Sequence, residues 1–325
     1  MSRHREILVL AAIFLAGAAI AQTAEPLALG SNRELFVDSY LVGSLDHAEL
    51  RLHSPETRET VLHFDKPWEG AFCGYTTIIH DGELYLLYYR GLPVAGADGS
   101  KTEVTCVALS VDGIHFAKPN LGIHRVWDTL DNNVILADDA PYSHNFAPFL
   151  DANPEALPEQ RFKAVAGTSS TGLHVFISPD GIHWKHLREE PILTGGAYDS
   201  HNIVFWSPVE QCYLCYFRIF ADGVRAVSRT TSTDFLNWTE AVPMTFGDTP
   251  KEHLYTNQTQ PYFRAPHIYV ATPARFMPGR KVIPDAMAGR MGAHSGYVRD
   301  CSDTVFMTSR GGTAYEAGGS WLASL

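Results

Sequence analysis

Basic residues are scarce in this sequence. Lys and Arg number 25 against 36 Asp and Glu, a formal charge of −11. A surface of that sign repels phosphate backbones and anionic lipid, which excludes nucleic acid and acidic membranes as partners. Cysteine is also sparse, and the five residues at 73, 106, 212, 215 and 301 are an odd set. Cys212 and Cys215 spell C-x-x-C inside the apolar run "QCYLCYF", where residues three apart on a strand face opposite ways. They are therefore expected as buried, small apolar residues without a shared metal or disulfide. The sequence has no G-x-S-x-G, Walker loop, dinucleotide fingerprint or H-E-x-x-H, so neither cofactor nor metal is expected.

Long apolar runs are absent after the N-terminus. Arg3 and Arg5 precede an apolar stretch from Ile7 to Ile20, and Ala19-Ile20-Ala21 offers a small-x-small cleavage site before Gln22. Residues 1–21 read as a signal peptide. This makes the protein secreted or periplasmic, with no membrane attachment after cleavage. Helical periodicity is missing as well.

Aromatic residues are plentiful, with 14 Tyr, 17 Phe and 6 Trp. They sit in short β runs separated by turns of Gly, Asp, Asn and Pro. Thr76–Ile79, the turn at Asp81-Gly82 and Leu84–Tyr89 read as a hairpin. Val104–Ser110 with Ile114–Phe116 reads as another, and so does His174–Ser178 with Ile182–Trp184.

Two motifs recur in register. "SVDGIHF" at Ser110, "SPDGIHW" at Ser178 and "STDFLNW" at Ser232 return once in roughly 60 residues, the size of a β-propeller blade. "SHN" stands at Ser143–Asn145 and at Ser200–Asn202, opening a unit each time. The aromatic that closes each S-x-D element is expected to pack between blades. Residues 22–60 read as a lead-in or closing strand and residues 61–325 as the propeller domain. The chain remaining after residue 250 is short for further blades of this size, and "EAGGSWLASL" carries no strand pattern. Either "ELFVDSYLV" closes a reduced ring or the copy is truncated, and truncation is the reading adopted.

The S-x-D-G-x-x-W/F elements, the strand "YLLYYRG" at Tyr85–Gly91 and the export signal resemble the five-bladed β-propeller glycoside hydrolases, the superfamily of β-fructosidases, arabinanases and β-xylosidases. The resemblance implies an all-β fold, a five-bladed propeller left incomplete at the C-terminal end. It also implies a carbohydrate substrate cleaved by carboxylates that converge at one mouth of the channel. Three acidic residues stand at the starts of inner strands: Asp199 as base or nucleophile, Glu252 as acid and Glu69 in support. Tyr75, Arg90, His144, Asn145, His201, Asn202 and Gln258 share those positions and are expected to line the substrate site. For the two histidines, hydrogen bonding within the blades is the competing reading, because catalytic residues normally break a repeat.

The alternative function is a carbohydrate-binding propeller without catalysis. It gains from the absence of the β-fructosidase W-M-N-D-P-N-G, R-D-P and E-C boxes. A sialidase-like enzyme fits less well, since the S-x-D-G-x-x-W element is one residue shorter than the sialidase Asp-box.

Overall fold

The computed structural model describes residues 27–315, except 52, 54, 71, 95, 292, 294, 295 and 297. The signal-peptide reading of residues 1–21 and the ending at residues 316–325 lie outside the described residues. Two compact units are distinguished, Met1–Arg33 and Glu34–Leu325. In the first, the described residues make a turn closed by the Asn32 N–H on the Leu29 carbonyl at 3.1 Å. No helix among the described residues is long and apolar enough to cross a membrane.

The second unit is almost entirely antiparallel β. Strands β1 (Gly74–His80), β2 (Tyr85–Gly91), β3 (Val104–Ser110) and β4 (Val134–Leu136) form a first sheet in chain order. The second sheet is β5 (Ala147–Leu150), β6 (Phe162–Thr168), β7 (Gly172–Ser178) and β8 (Lys185–His186). The third is β9 (Ile203–Ser207), β10 (Cys212–Ala221), β11 (Val224–Ser232) and β12 (Val242–Pro243).

The remaining chain makes three passes, each broken in two. One half pairs β14 (Gln260–Tyr262), β15 (Ala265–Ala271) and β18 (Met307–Ser309). The other pairs β13 (His253–Leu254), β16 (Ala274–Met277) and β17 (Cys301–Thr304). Pro273 lies at the break between β15 and β16, where it removes a ladder donor. One short helix, α1 (Asp285–Arg290), lies between β16 and β17.

Successive sheets pack through apolar layers. Leu86 and Tyr88 of the first sheet meet Phe162 of the second, and Val165 and Val175 of the second meet Val204 and Phe217 of the third. Phe205 and Tyr216 of the third meet Tyr269 and Met307 of the last passes. The inner strands β1, β5, β9 and β14 are neighbours in that order. Cys215 lies in the layer between the second and third sheets, whereas Cys212 packs on the opposite layer. All five cysteines are free thiols.

The segment before β1 bridges the two ends of this series. Arg310, just after β18, donates to Asp38 at 2.6 and 3.1 Å and to Glu34 at 2.9 Å. Further along the same segment, Leu62 and Trp68 pack on the first sheet.

The S-x-D elements are built alike but not as hairpins, which corrects the strand reading of Ile114–Phe116 and Ile182–Trp184. Ser178 donates to Asp180 at 3.0 Å, and Asp180 Oδ1 accepts the backbone N–H groups of Ile182 and His183 at 2.9 Å each. Asp112 and Asp234 do the same for residues 114–115 and 236–237. Those donors are taken by the aspartate and cannot join a ladder. Trp184 packs between the first and second sheets, and Trp238 joins the layer between the second and third.

Candidate functional site

The loops that open the inner strands converge on one cavity of about 330 Å³, lined by Tyr75, Arg90, Asp98, His144 and Tyr255 among others. Tyr75, the second residue of β1, has a left-handed φ of 50°, a conformation that costs energy in a residue with a Cβ and marks a constrained position. Its ring lies against His144 at 5.7 Å and His201 at 5.5 Å, with the Arg90 guanidinium 4.8 Å from its centroid. Burial, and then the neighbouring Tyr255 hydroxyl, push the Tyr75 phenol up, so it stays protonated.

Arg90 is fixed by β2 and donates to the Phe72 carbonyl at 3.1 Å. Its guanidinium stands 3.9 Å from the buried carboxylate of Glu103. His144 Nδ1 lies between two groups, 3.0 Å from Glu103 Oε1, which can only accept, and 3.2 Å from Arg90 Nη1, which can only donate. Asp98 is exposed, and its carboxylate, that of Glu103 and the His144 ring fall within 4.8 Å of one another. A divalent cation would find three ligand atoms there, but the Arg90 charge already faces Glu103.

His201 lies beneath Tyr75. Its Nε2 is 3.3 Å from Thr77 Oγ1, and its Nδ1 is buried without a partner among the described residues. Burial pushes the imidazole down to about 4, so the ring is neutral near pH 7. The repeated histidines have therefore diverged: His144 is held by a carboxylate, whereas His201 is enclosed.

The repeated asparagines serve the fold. Asn145 donates to the Gly167 and Ser200 carbonyls at 2.8 and 2.9 Å, joining the second sheet to the entry of the third. Asn202 donates to the Tyr198 and Ser200 carbonyls at 2.9 and 3.0 Å. Both are closed to solvent. Gln258 is half-buried and accepts from Thr272 at 3.0 Å.

The three acidic residues singled out in the sequence have different surroundings. Asp199 stays half exposed and pairs with the buried Arg218, whose guanidinium lies 5.2 Å from the Tyr255 ring. This puts Asp199 beside the cavity that Tyr255 lines. Glu69 is wholly buried behind the first sheet, where it accepts from Tyr89 at 2.6 Å and from Lys118 at 2.8 Å. Glu252 lies 3.1 Å from Arg275 and, with Leu254, faces a separate apolar cavity of about 360 Å³. Tyr255 lines the other cavity, and Glu252 does not. The structure therefore lines one mouth with Tyr75, Arg90 and His144, places His201 against Tyr75 and Asp199 behind Arg218 next to Tyr255, and leaves Glu69 and Glu252 elsewhere. Sequence reasoning missed Glu103, which stands one residue before β3, and Asp98, which lies in a loop without a motif.

No family model matches the chain, and no curated protein does. Among solved structures it is similar to an N-acetylgalactosamine deacetylase from F. plautii in complex with blood group B trisaccharide. That pair is 15% identical over 81% of this chain and 73% of the other, with a TM-score of 0.48. The GH93 α-L-arabinofuranosidase of Fusarium graminearum with arabinobiose is 11% identical over 79% and 68%, also with a TM-score of 0.48. An α-L-arabinanase of Penicillium chrysogenum complexed with arabinobiose is 11% identical over 80% and 69%, with the same TM-score.

Proposed function

We propose that this chain is an exported hydrolase of glycosidic bonds on a five-bladed propeller plan, with the segment that holds Arg310 closing the ring. The observation that carries the reading is the mouth itself. It combines an exposed carboxylate (Asp98), an imidazole (His144) and two aromatic walls (Tyr75, Tyr255), with a second carboxylate (Asp199) next to it, held by the arginine that packs on Tyr255. Such a set offers polar groups around an apolar surface, as sugar rings require.

Asp199 is the base or nucleophile in this scheme. It takes a proton from water attacking the anomeric carbon, or attacks that carbon itself. The C–O bond to the leaving sugar breaks, and its oxygen takes a proton from the opposite side of the mouth. Asp98, the exposed carboxylate of the same cavity, is assigned to supply that proton. Glu69 acts through the wall by fixing Lys118 and Tyr89, and Glu252 has no part in bond cleavage. Export rests on the N-terminal sequence, and N-terminal sequencing of the mature protein, expected to begin at Gln22, tests it.

Asp199→Asn and Asp98→Asn are the decisive variants. Each is expected to abolish release of reducing ends from the cleaved polysaccharide while the thermal melt stays within a few degrees of wild type. Full activity in both ends the assignment. One observation favours the binding reading: Asp199, Glu69 and Glu252 are each engaged by a cation. Oligosaccharide binding in calorimetry, without product on prolonged incubation, would establish it.

A further inference from the structure

The hairpin of β10 and β11 runs beyond β9, whose pairing with β10 ends at Ile203↔Tyr216. On the projecting part, Phe220 and Arg225 are directly opposite, and alternation sets Arg218 on the same face. The Arg225 guanidinium lies 4.7 Å from the Phe276 ring, 5.6 Å from Tyr255 and 5.8 Å from Phe220. Arg218 lies 5.5 Å from Phe220 and 5.2 Å from Tyr255.

The two arginines differ in one respect. Arg218 has Asp199, whereas Arg225 has no carboxylate partner among the described residues. Its polar contacts run to His253 Nδ1, which accepts the Arg225 backbone N–H at 3.2 Å and lies 3.5 Å from Nη1. Nε of both arginines is buried without an acceptor, so an anion can meet Arg225 only at its Nη atoms. Carboxylates are abundant in this chain, so an unpaired guanidinium among aromatic rings does not arise from any shortage of them. Removing such a charge from water is costly unless an anion answers it. Phe220 beside it is 65% exposed, on a strand whose other aromatic residues are buried.

We propose that Arg225, Arg218, Phe220 and Tyr255 form a subsite for an acidic sugar, a uronate unit adjoining the bond that is cleaved. The proposal rests on the carbohydrate reading above and names its substrate class. Phe220 offers a flat apolar face to a sugar ring. The Arg225 fork is matched to a planar carboxylate, which a neutral sugar or its ester does not supply. Tyr255 joins the subsite to the mouth, because its ring lines the cavity shared with Tyr75 and Arg90.

Calorimetry with the full chain tests this, using tetragalacturonate and tetraglucuronate, each against its methyl ester. At least one free acid is expected to bind about tenfold more tightly than its ester, and added salt should weaken that preference. Arg225→Met keeps the apolar stem and is expected to lower affinity for the free acid about tenfold more than affinity for the ester, which removes the preference. Should that variant fail to fold, Arg225→Lys provides the second measurement, with the preference reduced because the fork is lost. Equal affinity for acid and ester overturns the proposal, as does a preference that survives Arg225→Met or an absence of binding to all four probes. Preferred binding of the acid without cleavage upholds the subsite and rejects the hydrolase. Cleavage of neutral glycans with no preference for acid does the reverse.

Discussion

Tyr88 donates its phenolic hydrogen to the carbonyl of Gly181 at 3.0 Å, tying the middle of the first sheet to the S-x-D turn of the second. The same turn places Trp184 in the layer between those sheets, where its indole N–H returns to the Gly181 carbonyl at 2.9 Å. A short local motif thereby sets the distance between two sheets.

Gly181 is held at φ 76°, and a Cβ there would lie 2.4 Å from the Tyr88 hydroxyl. Gly113 occupies the equivalent place at φ 74°, but its Cβ would meet only the Tyr85 ring, at 3.3 Å. Gly181→Ala is therefore expected to cost about 3 kcal/mol and Gly113→Ala about 1 kcal/mol. Denaturant melts of the two variants check the order, and equal losses would remove the spacing role of Gly181.

Glu69→Gln is expected to act on stability and not on the bond-breaking step. Lys118, whose side chain is 12% exposed, would lose its buried partner and keep Asp65 at 2.9 Å. The expected loss is about 2–3 kcal/mol, with activity per folded molecule unchanged. A collapse of kcat with an unaltered melt would return Glu69 to the catalytic set.

His201 makes folding stability depend on pH. Its folded value, about 4, lies below the ordinary 6.5, so between those limits the unfolded chain binds a proton that the folded chain does not. Its contribution is complete above pH 6.5 and is lost as pH falls towards 4, by on the order of 3 kcal/mol. His201→Gln, which can still bond Thr77, should flatten the pH dependence of the unfolding free energy over that interval. An unchanged slope would show that His201 is not the group responsible.

Arg310→Met is expected to free the segment that holds Glu34 and Asp38. Asp38 is buried, and without the guanidinium its carboxylate is uncompensated, a loss on the order of 3 kcal/mol. Hydrogen exchange should accelerate in residues 34–50 first and in β15 and β18 next, while β6 and β7 remain protected. Uniform acceleration across all sheets would rule out a local closure.

The repeating elements follow from local spacing alone. Ser and Asp at fixed offsets build the S-x-D turn from contacts within six residues, so the turn was legible without any distant partner, whereas the strand expected after it does not form. The apolar alternation that sends Cys212 and Cys215 to opposite faces was legible for the same reason. Tertiary structure decided which polar residues meet. Glu69 and Asp199 both precede inner strands, yet Lys118, far along the chain, draws one into the wall, while Arg218 holds the other beside the mouth. Glu103 gained its importance only when sheet packing brought His144 against it, and Arg225 stood out only because no carboxylate came to meet it. Local hydrogen bonding can be read from spacing, but the pairing of charges depends on which sheets become neighbours.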